Sequence, residues 1–471
     1  MGSHIEETPA PPALWTETPC VFSMELSRIA GCNIYLKLEN IQPSGSFKSR
    51  GIGNYMARNL SGYKGTETRF YCSSGGNAGL ACAAAAKTLG LPAEIFLTSK
   101  TPQFVVEKLN RWGSMTHRGG NSWPEADKAC RAAAAAAAEN GVYVPPFDHP
   151  DIWAGNSTMV DELKALEDAG FFPAAMGSEN EGSQSAGGKR KRGESGGEAG
   201  RGGRGKGKID AIVCNVGGGG LINGIMEGIE RNYGPFTTSS SPSSSAEPTK
   251  PLVLALETEG CDSLAESIKS NSHATLPAIT SIAITLGAPR VSSKTYEWSK
   301  TCKAMTTYYP FIPSSPRPPP VPGLPSPDDW SPVGHVKPHM KTVETYIEET
   351  GTTLTGVVPD PSPRRDCSMF SVVVPDATAV KAVTSFLDDE RMLVEPSCGA
   401  MLAAVYDGNG RIIRDALRGG FGNGGHGRGL DADVKEDVKN DLAQKNVVLI
   451  VCGGCCISLD MLAEFRARFG V

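Results

Sequence analysis

The amino-acid sequence predicts an α/β protein with two domains, each built on an open, mainly parallel sheet flanked by helices. Short apolar runs alternate with segments of helical period, which is typical of strand–helix–strand units around a parallel sheet. Glycine-rich turns follow several of these runs, where a strand would lead into a helix. The chain has 471 residues, of which 39% are hydrophobic, and this is enough apolar surface for two cores.

The predicted elements fall into two series along the chain. The first series has strands at 70–72, 93–97 and 142–144 and helices at 78–89, 104–111 and 126–139. The second has strands at 211–215, 252–256 and 447–452 and helices at 221–231 and 379–389. We therefore expect a small domain of residues 51–150 and a large domain formed by residues 1–50 and 151–471.

Three stretches interrupt this pattern and are predicted to be solvated insertions in the large domain. They lie near 174–208, 236–250 and 303–365 and are rich in charge and glycine, in serine and in proline, respectively. The basic tract at 189–192 is compatible with a nuclear signal or an RNA-binding patch. Because glutamates interleave the basic residues of the surrounding segment 174–208 and the whole chain is acidic, a surface loop is the favoured interpretation.

The bulk composition favours small-molecule ligands over large polyanions. The formal net charge is −5 and the pI is near 5.9, so nucleic acid and anionic membranes are not expected partners. The apolar run at 447–452 is far shorter than the roughly 20 residues that cross a bilayer. The 13 cysteines are scattered and include the adjacent Cys455 and Cys456, unlike a secreted disulfide framework. We expect a reducing, cytoplasmic location.

The first motif with chemical content places a lysine at the start of a predicted helix. Ser44, Gly45 and Ser46 precede Phe47 and Lys48. An ammonium among small and aromatic residues loses its proton at modest cost, and the free amine forms a Schiff base with an aldehyde. Phe47 offers an apolar wall for a flat ring. A surface lysine at a helix start explains this motif equally well when it is taken alone.

The second motif, Ser-Ser-Gly-Gly-Asn-Ala-Gly at 73–79, lies between a predicted strand and an alanine-rich helix. Exposed main-chain N–H groups at the helix start, with the hydroxyls of Ser73 and Ser74, predict a site for a carboxylate. A glycine-rich turn that only connects two elements is the alternative.

The third motif consists of four consecutive glycines between a predicted buried strand and a helix. Without Cβ atoms, such a backbone can curl its N–H groups around a phosphate. No lysine or threonine follows, as a nucleoside-triphosphate loop requires, and the spacing does not match the dinucleotide-binding fingerprint. The motif therefore predicts a phosphate without a nucleotide. Its residues are Gly217, Gly218, Gly219 and Gly220.

The fourth motif ends a predicted buried strand with Cys452, Gly453 and Gly454. This places a thiol at the carboxyl edge of a sheet, where open α/β folds bind ligands. Cys452 and Cys455 have C-x-x-C spacing, but no second ligand pair accompanies them, so zinc binding and disulfide exchange are disfavoured. Structural burial of Cys452 is the main alternative.

Taken in order, the four motifs resemble the fold-type II pyridoxal-phosphate family and, within it, the catabolic L-serine/L-threonine dehydratases. The resemblance covers 19–150, 210–287 and 379–470 and leaves the insertions without a counterpart. It implies a cofactor-binding large domain and the β-elimination of L-serine to pyruvate and ammonia, and of L-threonine to 2-oxobutyrate and ammonia. It also implies a role in amino-acid catabolism and gluconeogenesis, an amino-acid substrate as the small-molecule partner, and a homodimer.

The resemblance assigns a role to each motif. Lys48 would hold the cofactor as a Schiff base and act as the catalytic residue, and Phe47 would stack on the ring. Asn77 would bind the ring's 3-oxygen, and Cys452 would face the pyridine nitrogen. The residues implied to bind the phosphate are Gly217, Gly218, Gly219, Gly220 and Leu221. Those implied to bind the substrate are Ser74, Gly75, Gly76, Asn77 and Ala78.

Departures from the family pattern favour the catabolic branch. Ala78 stands where biosynthetic threonine deaminases and serine racemases usually have histidine. Gly75 stands where related enzymes carry alanine or serine, so poor racemisation is expected. The chain ends at Val471, soon after the cysteine motif, so feedback by isoleucine through a regulatory domain is not expected. Cysteine and cystathionine synthases resemble the same fold and are the alternative function. A second alternative is a non-catalytic protein with this fold, and the intact Lys48 argues against it.

The segment 257–263 resembles the monovalent-cation site of this branch, and potassium is the expected ion. Glu257 and the carbonyl of Cys261 are the candidate ligands. A surface carboxylate that follows a strand is the alternative interpretation of Glu257.

Overall fold

The chain is described by a computed structural model that covers residues 14–60, 67–174, 206–236, 250–311, 368–418 and 442–471. The basic tract at 189–192 and most of the three predicted insertions lie outside the described residues. Two β-sheets organise the rest. The strands are β1 (Cys20–Ser23), β2 (Asn33–Lys37), β3 (Arg69–Cys72), β4 (Ala93–Leu97), β5 (Met115–Arg118), β6 (Gly141–Val144), β7 (Ala211–Asn215), β8 (Leu252–Thr258), β9 (Met305–Tyr308), β10 (Met369–Val374) and β11 (Asn446–Ile450).

The larger sheet has the order β1-β2-β11-β7-β8-β10-β9, and the smaller has the order β5-β4-β3-β6. All pairs of described strands are parallel except β1 with β2 at the edge of the larger sheet. The strands β7, β10 and β11 are buried along their whole length, as expected for a parallel sheet covered on both faces. The predicted α/β class is confirmed.

Helices cover both sheets. They are α1 (Met24–Ala30), α2 (Lys48–Leu60), α3 (Asn77–Leu89), α4 (Gln103–Arg111), α5 (Trp123–Ala136), α6 (Pro150–Asp168), α7 (Gly220–Tyr233), α8 (Ser263–Lys269), α9 (Ser293–Thr301), α10 (Asp376–Glu390), α11 (Pro396–Tyr406), α12 (Arg411–Leu417) and α13 (Leu459–Phe469), with 3-10 turns at Glu39–Ile41, Ala138–Asn140 and Ile284–Leu286. None of the helices in the described ranges is long and apolar enough to cross a bilayer.

Two boundaries differ from the sequence prediction. The helix predicted at 126–139 begins at Trp123 and ends at Ala136, because Pro124 suits a first helical turn and residues 138–140 tighten into a 3-10 turn. The insertion predicted near 303–365 begins too early, since β9 lies inside that segment and pairs with β10. The short polar sequence of β9 carries no strand pattern, so only its pairing reveals it.

A buried charge network anchors the start of α2. The guanidinium of Arg50, which is fully buried, binds both carboxylate oxygens of Glu39 at 2.8 Å and contacts Glu162 on α6. Lys37, also fully buried, pairs with the same Glu162. Buried charges are tolerated when each is paired and hydrogen-bonded, as here. The network fixes α2 two residues after Lys48.

Candidate active site

Three of the four sequence motifs meet at the carboxyl ends of adjacent strands of the larger sheet. Strand β11 pairs with β7 and β2, so the cysteine motif after β11 lies beside the tetraglycine motif after β7. The lysine motif packs on the cysteine motif: Phe47 N donates to Cys452 O at 3.2 Å and Gly454 N donates to Gly45 O at 2.9 Å. The carboxyl edge of the sheet therefore assembles the site.

Lys48 is the first residue of α2, and its ammonium lies against aromatic rings. Nζ donates to the carbonyl oxygen of Pro146 at 2.6 Å. It lies 5.4 Å from the ring centroid of Phe47 and 5.8 Å from that of Phe147. Burial lowers the pKa of Lys48 to about 8, because removal from water disfavours the charged form. A substantial fraction of the amine is therefore neutral and reactive near neutral pH.

The motif at 73–79 joins β3 to α3 and is held from behind by α5. Ser73 is fully buried, its hydroxyl donates to Asp127, and its carbonyl oxygen accepts from Trp123 Nε1 at 2.7 Å. The expectation that the Ser73 hydroxyl binds a carboxylate is therefore wrong. Ser74 Oγ accepts from Gly76 N at 3.2 Å, which leaves the Ser74 hydroxyl hydrogen free to donate.

The remaining predicted carboxylate-binding residues line the start of α3. Asn77 and Ala78 occupy its first turn, where main-chain N–H groups have no intrahelical acceptor and favour an anion. Gly75 packs closely on Thr101: an added Cβ would lie 2.6 Å from Thr101 Oγ1. This contact leaves no room for a side chain at Gly75.

Asn77 links the motif at 73–79, which follows β3 of the smaller sheet, to residues that follow the larger sheet. Its Oδ1 accepts from Cys455 N at 3.1 Å, and its Nδ2 donates to both carboxylate oxygens of Glu395 at 3.1 Å. The second and fourth motifs are thus in direct contact across the two sheets.

The tetraglycine motif forms a tight cradle between β7 and α7. Within the described residues, the main-chain N–H groups of 217–221 donate to no protein acceptor. Such free donors at a helix start suit a phosphate. The surrounding atoms exclude side chains: a Cβ would lie 3.0 Å from Leu286 Cα at Gly217, 2.4 Å from the ring of Phe147 at Gly218, 1.9 Å from Thr295 Oγ1 at Gly219 and 2.8 Å from Phe147 O at Gly220.

Cys452 lies buried just beyond β11. Asn215 Nδ2 donates to its Sγ at 3.3 Å. A hydrogen bond with Cys398 and burial raise the pKa of Cys452 well above its usual value. The group at this edge of the site is therefore a neutral thiol, which would not stabilise a protonated pyridine nitrogen as a carboxylate would.

Sequence reasoning missed Glu395, which precedes α11. Besides Asn77, its carboxylate accepts from Cys456 N at 2.7 Å and from Thr285 Oγ1 at 2.7 Å. A Cβ on Gly454 would lie 2.1 Å from Glu395 Cδ, so only glycine fits there. A charged residue between apolar segments at 392–394 and 398–405 was the available signal.

Pro146 and Phe147 were also missed. They follow β6, which pairs with β3, and they connect Lys48 to the tetraglycine cradle through the contacts given above. Nothing in the string Pro-Pro-Phe indicates a site from sequence alone, because its position depends on the pairing of β6 with β3.

Glu257 lies inside the fold. It is fully buried, and its two carboxylate oxygens accept from Leu264 N at 2.8 Å and Ala265 N at 2.9 Å at the start of α8. Burial raises the pKa of Glu257 to about 8. The alternative interpretation of Glu257 as a surface charge is wrong. Among the described residues, the neighbouring Ser263 hydroxyl is buried without a partner, and Cys261 is buried beside it.

Together these features define a site for a phosphorylated aldehyde cofactor. The chemistry of these groups matches pyridoxal phosphate. The desolvated amine suits the aldehyde, the free N–H groups suit the phosphate, and the amide and the neutral thiol suit the ring. The fit depends on glycine at 217–220, because a Cβ there would meet Leu286, Phe147 or Thr295 and would displace the loop that carries the donors.

Comparison with known proteins agrees with this class. The family model "Pyridoxal-phosphate dependent enzyme" matches residues 13–180. The chain is 32% identical over 470 residues to human "Serine dehydratase-like", covering 100% of this chain and 98% of the relative. It is 36% identical over 447 residues to "L-serine dehydratase" of Saccharomyces cerevisiae (strain AWRI1631), covering 93% and 92%.

A solved structure gives the same result. The crystal structure of a fungal L-serine ammonia-lyase from Rhizomucor miehei is 26% identical, has a TM-score of 0.63, and covers 97% of this chain and 100% of that chain. The chain therefore belongs to the pyridoxal-phosphate-dependent enzyme family, in its serine dehydratase branch. The resemblance predicted from the four motifs is confirmed.

Proposed function

We propose that this protein removes the β-hydroxyl of L-serine, and of L-threonine, with pyridoxal phosphate as cofactor. The overall reaction loses the α-proton and the hydroxyl as water, and hydrolysis then gives ammonia with pyruvate or 2-oxobutyrate. The observation that carries the proposal is the desolvated amine of Lys48 beside the N–H cradle at 217–221. The names of the relatives support elimination over β-replacement.

Each side chain has a distinct task in this proposal. Lys48 would hold the cofactor and, once released from it, remove the α-proton of the substrate. Bound pyridoxal phosphate supplies the electron sink that acidifies this proton. The start of α3 would bind the substrate carboxylate, with the Ser74 hydroxyl as an added donor. Asn77, oriented by Glu395 and Cys455, would contact the ring's 3-oxygen.

The direct test is the release of 2-oxo acid from L-serine, L-threonine, D-serine, and O-acetyl-L-serine with sulfide, followed together with the visible absorption of the purified protein. Yellow protein that releases pyruvate from L-serine is the expected result. Formation of cysteine from O-acetylserine without pyruvate release would instead support a cysteine synthase. Protein that stays colourless with added pyridoxal phosphate would overturn the cofactor assignment.

The lowered pKa of Lys48 predicts how cofactor capture depends on pH. The reactive form is the neutral amine, and a pKa of about 8 leaves about one-tenth of it neutral at pH 7, against roughly 0.03% for an ordinary lysine. Capture of pyridoxal phosphate by cofactor-free protein should therefore rise about tenfold from pH 6 to 7 and level off above about pH 8. Stopped-flow absorbance measures this rate. A rate that still rises up to pH 10 would contradict the argument.

We propose in addition that a monovalent cation, potassium, binds beside Glu257. The buried carboxylate, the carbonyl of Cys261 and the unpartnered Ser263 hydroxyl support this, because hard cations prefer oxygen ligands. Activity should be about tenfold higher in potassium chloride than in tetramethylammonium chloride at equal ionic strength. Glu257→Gln should lose this dependence of activity on potassium. Glu259→Gln, a control that alters an exposed carboxylate two residues away, should keep it. Equal activity in both salts would contradict a cation requirement.

We also propose a cytoplasmic homodimer that degrades amino acids and supplies 2-oxo acids for gluconeogenesis. The family resemblance supports this role and the dimer. Every cysteine in the described ranges is free, which supports a reducing compartment. Sedimentation of the holoenzyme measures the oligomeric state.

A further inference from the structure

Phe147 closes the space between the lysine and the phosphate cradle. Its ring centroid lies 5.8 Å from Lys48 Nζ. Its ring atoms lie 2.4 to 2.6 Å from the position that a Cβ on Gly218 would take, so the ring packs directly on that glycine. The adjacent Pro146 carbonyl accepts from Lys48 Nζ at 2.6 Å. One short segment after β6 therefore touches both chemical groups of the site.

The segment is held in place on its other side. Trp153 Nε1 donates to Phe147 O at 3.1 Å. The same carbonyl oxygen would lie 2.8 Å from a Cβ on Gly220, so it packs tightly against the end of the cradle. Two prolines precede Phe147 and restrict the backbone before it. The aromatic ring is therefore a fixed wall of the site and cannot easily move aside.

This wall limits the size of the group that the β-carbon of a substrate can carry, an inference that rests on the proposed function. The start of α3 takes the carboxylate, and Lys48 Nζ must reach the α-proton. The ring of Phe147 borders both Lys48 and Gly218, so a β-substituent on the side away from α3 would lie against it. We propose that Phe147 is a specificity-determining residue, which limits the bulk at the β-carbon and makes L-serine the preferred substrate over L-threonine.

The expected size of the effect follows from the difference between the two substrates. L-Threonine carries one methyl group more than L-serine at the β-carbon. One methyl group in a close-fitting pocket typically changes selectivity by about 10- to 200-fold. A rigid aromatic wall rejects an added methyl group because neither its ring nor the packed Gly218 backbone can move without losing contacts.

Binding of non-reacting analogues tests the wall apart from turnover. L-2-Aminobutyrate has the shape of L-serine and L-valine has that of L-threonine, and neither carries a leaving group at the β-carbon. Calorimetry on the holoenzyme should show that aminobutyrate binds at least about tenfold more tightly than valine. In Phe147→Leu the ratio of the dissociation constants of valine and aminobutyrate should fall to about two or less. The threonine-to-serine ratio of kcat/KM should rise in parallel.

Phe96→Leu is the matched control. Phe96 belongs to β4 and stacks on His117 with a centroid distance of 4.5 Å. The variant therefore removes an aromatic ring of the same size at a position outside the four motifs. The ratio of the dissociation constants of valine and aminobutyrate should be the same in Phe96→Leu as in the unaltered protein. An unchanged ratio in Phe147→Leu would overturn the proposal. So would equal affinity of the unaltered protein for the two analogues, a result that needs no variant to fold.

The two proposals fail differently. If the unaltered holoenzyme releases no 2-oxo acid from either amino acid, the proposed function fails. If it eliminates water from serine but discriminates against valine no more than Phe147→Leu does, the function stands and the role of Phe147 fails.

Discussion

Replacing Lys48 with alanine should abolish elimination. The amine is the nucleophile that would hold the cofactor and the base that would take the α-proton. Among the described residues, no second lysine donates to Pro146 or lies over the ring of Phe47 or Phe147. A general base alone contributes about 100- to 10,000-fold, so kcat should fall by at least about 10,000-fold once both roles are lost. Pyruvate release from L-serine is the measurement.

Two further variants make the Lys48 result specific. Lys48→Arg retains the charge but cannot form a Schiff base, so it should be as inactive as Lys48→Ala. Lys87→Ala, on the exposed face of α3, should keep normal activity. Normal turnover by Lys48→Ala would remove the basis of the proposed function.

Replacing Gly219 with alanine should disrupt the phosphate cradle. Gly219 has φ +98°, and an added Cβ would lie 1.9 Å from Thr295 Oγ1. The left-handed conformation costs about 1–2 kcal/mol for a residue with a Cβ, and the overlap adds about 1–3 kcal/mol. If the loop moves to relieve both, its N–H groups leave their positions. We expect pyridoxal phosphate to bind roughly 100-fold more weakly, which corresponds to about 3 kcal/mol.

Gly234→Ala provides a control at the other end of α7. Gly234 has φ +88°, and no atom lies within 4 Å of an added Cβ. With ψ 170° it lies in a backbone region that essentially only glycine adopts, so the variant should lose about 1–3 kcal/mol of stability in urea unfolding and keep its affinity for pyridoxal phosphate. Fluorescence titration of the cofactor-free protein measures that affinity. Equal cofactor affinity in the two alanine variants would show that the cradle does not bind the phosphate.

Local patterns predicted the elements that surround the motifs. The predicted helix at 78–89 corresponds to α3 (Asn77–Leu89), and the predicted strand at 211–215 is β7 (Ala211–Asn215). Such continuous apolar runs are typical of parallel strands buried on both faces. β1, β2, β5, β9 and β10 were not predicted. β1, β5 and β9 have four residues each, and β10 follows the proline-rich stretch, so pairing with neighbouring strands defines these elements.

The sequence by itself determined the class of the protein, because four local motifs that are ambiguous singly occur together in the order that the pyridoxal-phosphate family shows. The glycines among them are visible in sequence because the backbone approach they permit requires the absence of a Cβ. The tertiary structure alone decided which other side chains complete the site. Glu395 reaches Asn77 across 318 positions of the chain, and Pro146 reaches Lys48 across 98. Such contacts are set by the order and pairing of strands in the two sheets, and no local pattern records them.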